Sequence, residues 1–260
     1  MESKDRAVSH YAFRGNASGA GGTLTEVKDQ SVGKIIPTYA ASSLPVTGGR
    51  SRSEYPGYKY SANGLEIFRS GPITTHAETM ENSAGDSITS VSAEAFDVWV
   101  YPSFEIPYLR SHLQAQSTTV EGMANIRLGN CVLNEIRLGS NVVKVELDLK
   151  TFSECDSFEE AIKGASSHRK SATGAPATGG SKGVIVSDIV AKLIPPDKAG
   201  DEITVVDNRI YWKNFGWIIV GEILISRQYR RLTMIRLELG SPIKGSIGIG
   251  ETESDGHWVP

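Results

Sequence analysis

Val143-Lys144-Val145-Glu146-Leu147-Asp148-Leu149-Lys150 alternates apolar and charged side chains without a break. Successive side chains of a strand point to opposite faces, so this segment buries one face and wets the other. Strands of this kind belong to antiparallel sheets with one solvated side. The same period recurs along the chain. It is seen in Leu65-Glu-Ile-Phe-Arg69, in Ile73 to Thr79 and in Ser87 to Tyr101, with a turn or bulge at Ser70-Gly71-Pro72. Towards the C-terminus, Val184 to Ile194, Ile203 to Val206, Arg209 to Trp212, Gly216 to Ile225, Leu232 to Leu239 and Ile243 to Ile249 read as strands. Asp207-Asn208 supplies a two-residue hairpin turn.

Ile126-Arg-Leu-Gly-Asn130 is nearly repeated as Ile136-Arg-Leu-Gly-Ser140, which suggests a hairpin followed by a second turn. One short helix is expected near 157–163. Asp156 or Ser157 would cap it, acids occupy its first turn, and Lys163-Gly164 closes it. The expected fold is therefore all-β, an antiparallel β-sandwich or partly closed barrel with one short helix. Residues 1–260 are read as a single β-rich domain. Gly164 to Gly183, rich in Gly, Ser, Ala and Thr and without a large apolar side chain, is read as a flexible loop in which trypsin should cut first.

Composition narrows the function classes. The chain has 260 residues, a net charge of −3 and 27 glycines, which gives no general attraction to nucleic acid. No apolar run approaches the roughly 18 residues of a membrane helix, because Gly221 and Glu222 interrupt Trp217-Ile-Ile-Val220. The N-terminus lacks the apolar core of a secretory signal, so a cytoplasmic location is the default. Cys131 and Cys155 form no framework and are either linked or free.

Searches for chemistry return little. Ser-x-x-Lys occurs at Ser31/Lys34, Ser167/Lys170 and Ser241/Lys244, but without its companion motifs. Gly179-Gly-Ser-Lys-Gly183 lacks the order of a phosphate-binding loop. The five histidines, His10, His76, His112, His168 and His257, are scattered; of these His76 shares a strand face with Glu78. Glu222 lies inside the apolar run Trp217 to Ile225, which looks covered on both faces. A carboxylate there needs a partner such as Arg236 or Arg209, unless Gly221 marks a bulge that turns it outward. Tyr55 to Tyr60 and Tyr101 to Tyr108 read as Pro-containing aromatic loops, packed down as lids or open as a binding face. Glu222 and His76 are the catalytic candidates, and neither a cofactor nor a metal is implied.

Phe215-Gly216 with Gly221-Glu222, and then Arg230-Arg-Leu-Thr-Met-Ile-Arg-Leu-Glu-Leu-Gly-Ser241, resembles a family of uncharacterised bacterial β-rich proteins. The similarity covers the C-terminal third and the Ser117 to Leu138 stretch, and it brings no activity or site. The expected function is a non-catalytic binding or self-assembling β-protein. Its partner would be a second copy or another protein, with Ser246 to Gly250 suited to edge pairing. The alternative is a barrel-type enzyme using carboxylate or metal chemistry.

Overall fold

The computed structural model describes residues 10–28, 30–81, 87–116, 125–153, 159–165, 185–197, 202–226, 229–254 and 257–259. Most of the 164–183 segment and Cys155 lie outside them. The alternating segment forms strand β13 (Asn141–Leu147), with Val143 and Val145 buried and Lys144 and Glu146 exposed. It ends before Lys150, because Asp148 Oδ1 accepts the Thr151 amide at 3.1 Å. That bond caps a helical turn, α1 (Lys150–Ser153), which the alternation had masked. Residues 159–165 are also helical, where the sequence placed its short helix.

The strands build two large antiparallel sheets. Eleven strands form the first, along the path β15 (Val190–Ile194), β13, β12 (Glu135–Leu138), β9 (Phe104–Gln116), β8 (Ser87–Val100), β6 (Leu65–Ser70) and β5 (Tyr58–Ala62). β10 (Asn125–Leu128) and β11 (Val132–Leu133) also pair with β9, while β7 (Ile73–Glu81) joins β8 and carries β4 (Arg50–Tyr55). The second sheet runs β16 (Ile203–Val206), β17 (Arg209–Trp212), β18 (Gly216–Ile225), β19 (Arg230–Leu239), β20 (Ile243–Ser254), β2 (Gly15–Val27) and β3 (Gln30–Ser43). β14 (Ile185–Asp188) lies on β18, and a ribbon of β1 (His10–Ala12) and β21 (His257–Val259) stands apart.

The inner faces meet in one hydrophobic cluster. Val91, Ile106, Leu109 and Leu113 come from the first sheet, and Leu24, Ile218, Leu237 and Ile247 from the second. Buried hydroxyls tie the layers, with Ser111 and Thr252 at 2.6 Å and Ser42 and Thr75 at 2.8 Å. The architecture is a β-sandwich; the two sheets remain open paths, and the barrel alternative falls away. The run from Val184 to Ile194, expected as one strand, changes sheet at Ile189. Its amide donates to Gly221 O at 2.9 Å in the second sheet, and its carbonyl accepts from Asp148 N at 2.8 Å in the first.

Along the second sheet the inward phase reverses on one transverse line. In β18, Ile218 and Val220 are buried in the core before Gly221, and Ile223 and Ile225 after it. β19 and β20 change phase opposite that point, with Leu237, Ile235 and then Leu232 inward, and Ile247, Ile249 and then Thr252 inward. These three strands absorb their extra residue on the same line, so the pairing register among them is unbroken. Gly221 and Gly250 make this possible, with φ of +60° and +65°. A Cβ on Gly250 would also lie 2.5 Å from Leu109 Cδ1 of the facing sheet.

This line corrects several expectations. Ile219, expected in the core with Ile223 and Ile225, is buried but lies on the outer face opposite Arg236, and Ile218 and Val220 point into the main cluster instead. The outer face of β18 is only partly covered, since Ile219 is buried there but Trp217 is 38% exposed. Ser246 to Gly250 is no edge: β20 is paired on both sides, by β19 and β2. Gly129-Asn130 makes no hairpin, because β10 and β12 both pair with β9, whereas the expected second turn, Gly139-Ser140, joins β12 to β13.

Candidate functional site

The register fixes which side chains share the outer face of the second sheet. One row runs Tyr211, Trp217, Glu238, Ser246, Thr23 and Ile35 across six strands. The next carries Arg209, Ile219, Arg236, Gly248 and Gly21. Beyond the phase reversal come Glu222, Thr233, Glu251, Ser18 and Ala41, and then Leu224, Arg231, Glu253, Asn16 and Ser43. The glycines and serines on β20 and β2 leave a depression between the long side chains of β19 and the edge of β3. It is a trough of about 300 Å³ that includes Ser18, Gly21, Glu222, Arg231, Arg236 and Glu251 in its lining. A second hollow of about 250 Å³ shares Ser18 and Glu251 with it and continues to Asn16 and Ser43.

Glu222 enters this trough because the phase reversal at Gly221 turns it outward; the direction is that of the bulge alternative, but the unbroken register shows no bulge there. Its Oε2 accepts from Arg236 Nη2 at 2.8 Å, while Arg236 Nη1 donates to Glu238 at 2.6 Å. The other carboxylates take neutral donors. Glu251 Oε2 accepts from Thr233 Oγ1 at 3.2 Å. Glu253 accepts from the Tyr229 hydroxyl at 2.9 Å and from Asn16 Nδ2 at 2.5 Å. Burial and the Glu253 carboxylate push the Tyr229 hydroxyl well above the usual phenol range, so it stays a donor. Arg231 is thereby left over. It lies directly across from Glu253, yet it has no hydrogen bond or ion pair among the described residues, and its Nε is buried without a partner.

Tyr211 and Trp217 stand at the far end of the same face with ring centroids 5.1 Å apart, each 38% exposed. The sequence reading did not single them out. The usable signal was the short turn at 213–215 between two expected strands, which sets residue 211 opposite residue 217. Of the aromatics it did nominate, Tyr58 stacks on the buried Tyr39, and Tyr58, Tyr60 and Tyr101 lie against the core, while Tyr55 stays exposed. Much of the expected loop at 101–108 is strand, since β9 starts at Phe104.

His76 is elsewhere. It lies on β7 of the first sheet, where its Nε2 accepts from Arg50 Nε at 2.9 Å and sits 3.5 Å from Glu78. The two catalytic candidates are therefore on different sheets, each beside an arginine. Among the described residues no group of three His, Cys, Asp or Glu is placed to hold a metal ion.

A buried Ser–His contact, which the sequence did not reveal, joins β8 to β9. Ser90 Oγ lies 3.0 Å from His112 Nε2, and the Asn130 amide donates to His112 Nδ1 at 3.1 Å. With Nδ1 accepting, the neutral ring carries its proton on Nε2 and donates to Ser90. A base that must take the serine proton needs the opposite tautomer, so this pair is not poised for nucleophilic attack. Burial, with Arg110 adding, pushes His112 down to about 4, and burial pushes the nearby Cys131 thiol up to about 11. Cys131 is a free, buried thiol.

Fold and face together define an antiparallel β-sandwich protein with a polar trough across the outer side of one sheet. A family model, Domain of unknown function (DUF8256), matches residues 11–160, and the chain belongs to that family. Comparison with the curated proteins and with the solved structures finds no match. The matched segment supplies Ser18, Gly21 and Thr38 of the trough, whereas Glu222, Arg231, Arg236 and Glu251 come from beyond it. The resemblance drawn from sequence rested chiefly on the C-terminal third, which the matched segment does not include. No helix among the described residues is long and apolar enough to cross a membrane.

Proposed function

We propose that this chain is a non-catalytic binding protein whose ligand lies on the outer face of the eight-stranded sheet. The observation that carries the reading is Arg231, an unpaired guanidinium in a trough whose carboxylates are already engaged. A planar, donor-rich group held in this way is suited to fixing a ligand's acceptors. The enzyme alternative is weaker on its own candidates. Glu222 is held by Arg236 and His76 by Arg50, on separate sheets.

Assembly by edge pairing is also weaker at the long edge of the second sheet. β3 carries Pro37, which lacks an amide donor, and positive φ at Gly33 and Ala40. These features blunt an edge against a second strand. Binding through the face needs no such edge.

A thermal-shift panel of sugars, nucleotides, short peptides and metal salts tests the proposal, run on the intact chain and on Arg231→Ala. The expected result is a compound that stabilises the former and not the latter. Stabilisation that survives Arg231→Ala for every active compound overturns the assignment to this face. A solution mass above 28.0 kDa that falls on strand-edge substitution would favour self-assembly instead.

A further inference from the structure

Resting on that reading, we infer that the trough takes a neutral oligosaccharide, lying along the strands between the Tyr211–Trp217 pair and Arg231. Three observations converge on this ligand class. The trough lining is charge-balanced, with Glu222 and Glu251 against Arg231 and Arg236, so a strongly charged ligand gains little net attraction. Its hydrogen-bonding groups are nevertheless of both kinds and closely spaced. Arg231 donates, the carboxylates of Glu222 and Glu251 have acceptor capacity left, and Ser18, Ser246 and Thr38 offer hydroxyls. A chain of vicinal hydroxyls, each both donor and acceptor, matches such a lining.

The third observation is shape. From Glu238 to Arg231 the face extends seven residues along β19, on the order of 20 Å at strand spacing. Gly21 and Gly248 both line the depression, and over Gly248 the backbone is open to a ligand. The exposed ring of Trp217 stands two strands from Ser246, about 10 Å away at the usual strand separation, with Tyr211 one strand farther. Aromatic faces of this kind accept the apolar face of a pyranose ring while their polar edges stay wet.

The test is isothermal titration of the full chain with cellohexaose, xylohexaose, maltohexaose and mannohexaose. Hexagalacturonate serves as the acidic counterpart. At least one neutral hexasaccharide should bind, and its Kd should rise roughly tenfold or more in Arg231→Ala and in Trp217→Ala. Trp217→Phe, which keeps a ring on the face, should lose less and guards against a folding artefact. Binding of hexagalacturonate alone overturns the inference, as does absence of binding by all four neutral chains. If those chains fail while another class from the thermal-shift panel depends on Arg231, the face stands and the sugar does not. If a hexasaccharide binds Arg231→Ala unchanged, both fall.

Discussion

Replacing His112 should flatten the acid limb of this protein's stability. In the folded chain the ring is 9% exposed, accepts the Asn130 amide on Nδ1, and has Arg110 nearby. Protonation would set a charged N–H against the Asn130 N–H, and its affinity for the proton falls to about 4 from the ordinary 6.5. Because the folded value is the lower one, the unfolded chain binds more protons between these limits, and stability drops as pH falls through them. The loss from this one group is about 2.5 kcal/mol between about pH 7.5 and about pH 4.5, the full span being about 3 kcal/mol. His112→Asn keeps an acceptor for the Asn130 amide but cannot titrate. Urea unfolding followed by tryptophan fluorescence at both pH values gives the two slopes. The variant starts less stable, having lost ring volume, but its stability should fall with acid by about 2.5 kcal/mol less than the parent's. Equal acid sensitivity in the two proteins would mean that His112 is not held neutral by burial, and the tautomer argument against a Ser90–His112 dyad would go with it.

Four further outcomes are expected. Leu237→Ala, fully buried between Ile218 and Ile247 in register, should cost about 2–5 kcal/mol in chemical denaturation, and a loss below about 0.5 would put β19 at the surface. Gly250→Ala should destabilise by more than about 1 kcal/mol, since it meets both a positive φ and Leu109; adding Leu109→Ala should give a sub-additive double-mutant cycle, and full additivity would refute the contact. Glu222→Gln breaks a half-exposed ion pair and should shift stability by about 1 kcal/mol or less, so a larger change would mean the carboxylate is buried. Trypsin cleavage after Arg169, Lys170 or Lys182 should leave two fragments that co-elute on a sizing column, as strands from both sides of the 164–183 segment contribute to one buried cluster. Separation of the fragments would divide the chain into two domains instead.

Legibility in the sequence followed hydrophobic contrast. β13, β8 and β19 alternate large apolar and polar side chains, so their faces could be assigned before any fold was known. β2 and β3 were invisible, because Gly15-Asn-Ala-Ser-Gly-Ala-Gly-Gly22 buries Ala17 and Ala20, which differ too little from their neighbours to show a period. Those two strands form one bank and much of the floor of the trough, and the trough was missed with them. The Ser90–His112 contact was missed for another reason. Its members are 22 residues apart and are joined by strand register together with the Gly129–Asn130 segment, not by local spacing.

Alternation and turn chemistry alone determined an all-β antiparallel chain and the hairpin at Asp207-Asn208, since these depend on neighbours within a few residues. Only the tertiary structure decided that Glu222 faces a trough with Arg236, that Arg231 is left unpaired, and that β20 is central. A strict period of two carries the phase of Ile218 and Val220 onto Glu222 and would bury it. The phase turns over at Gly221 because the facing chain, through Ile189, needs the space that a Cβ would take. That demand comes from the crossover between the two sheets, and no window along β18 contains it.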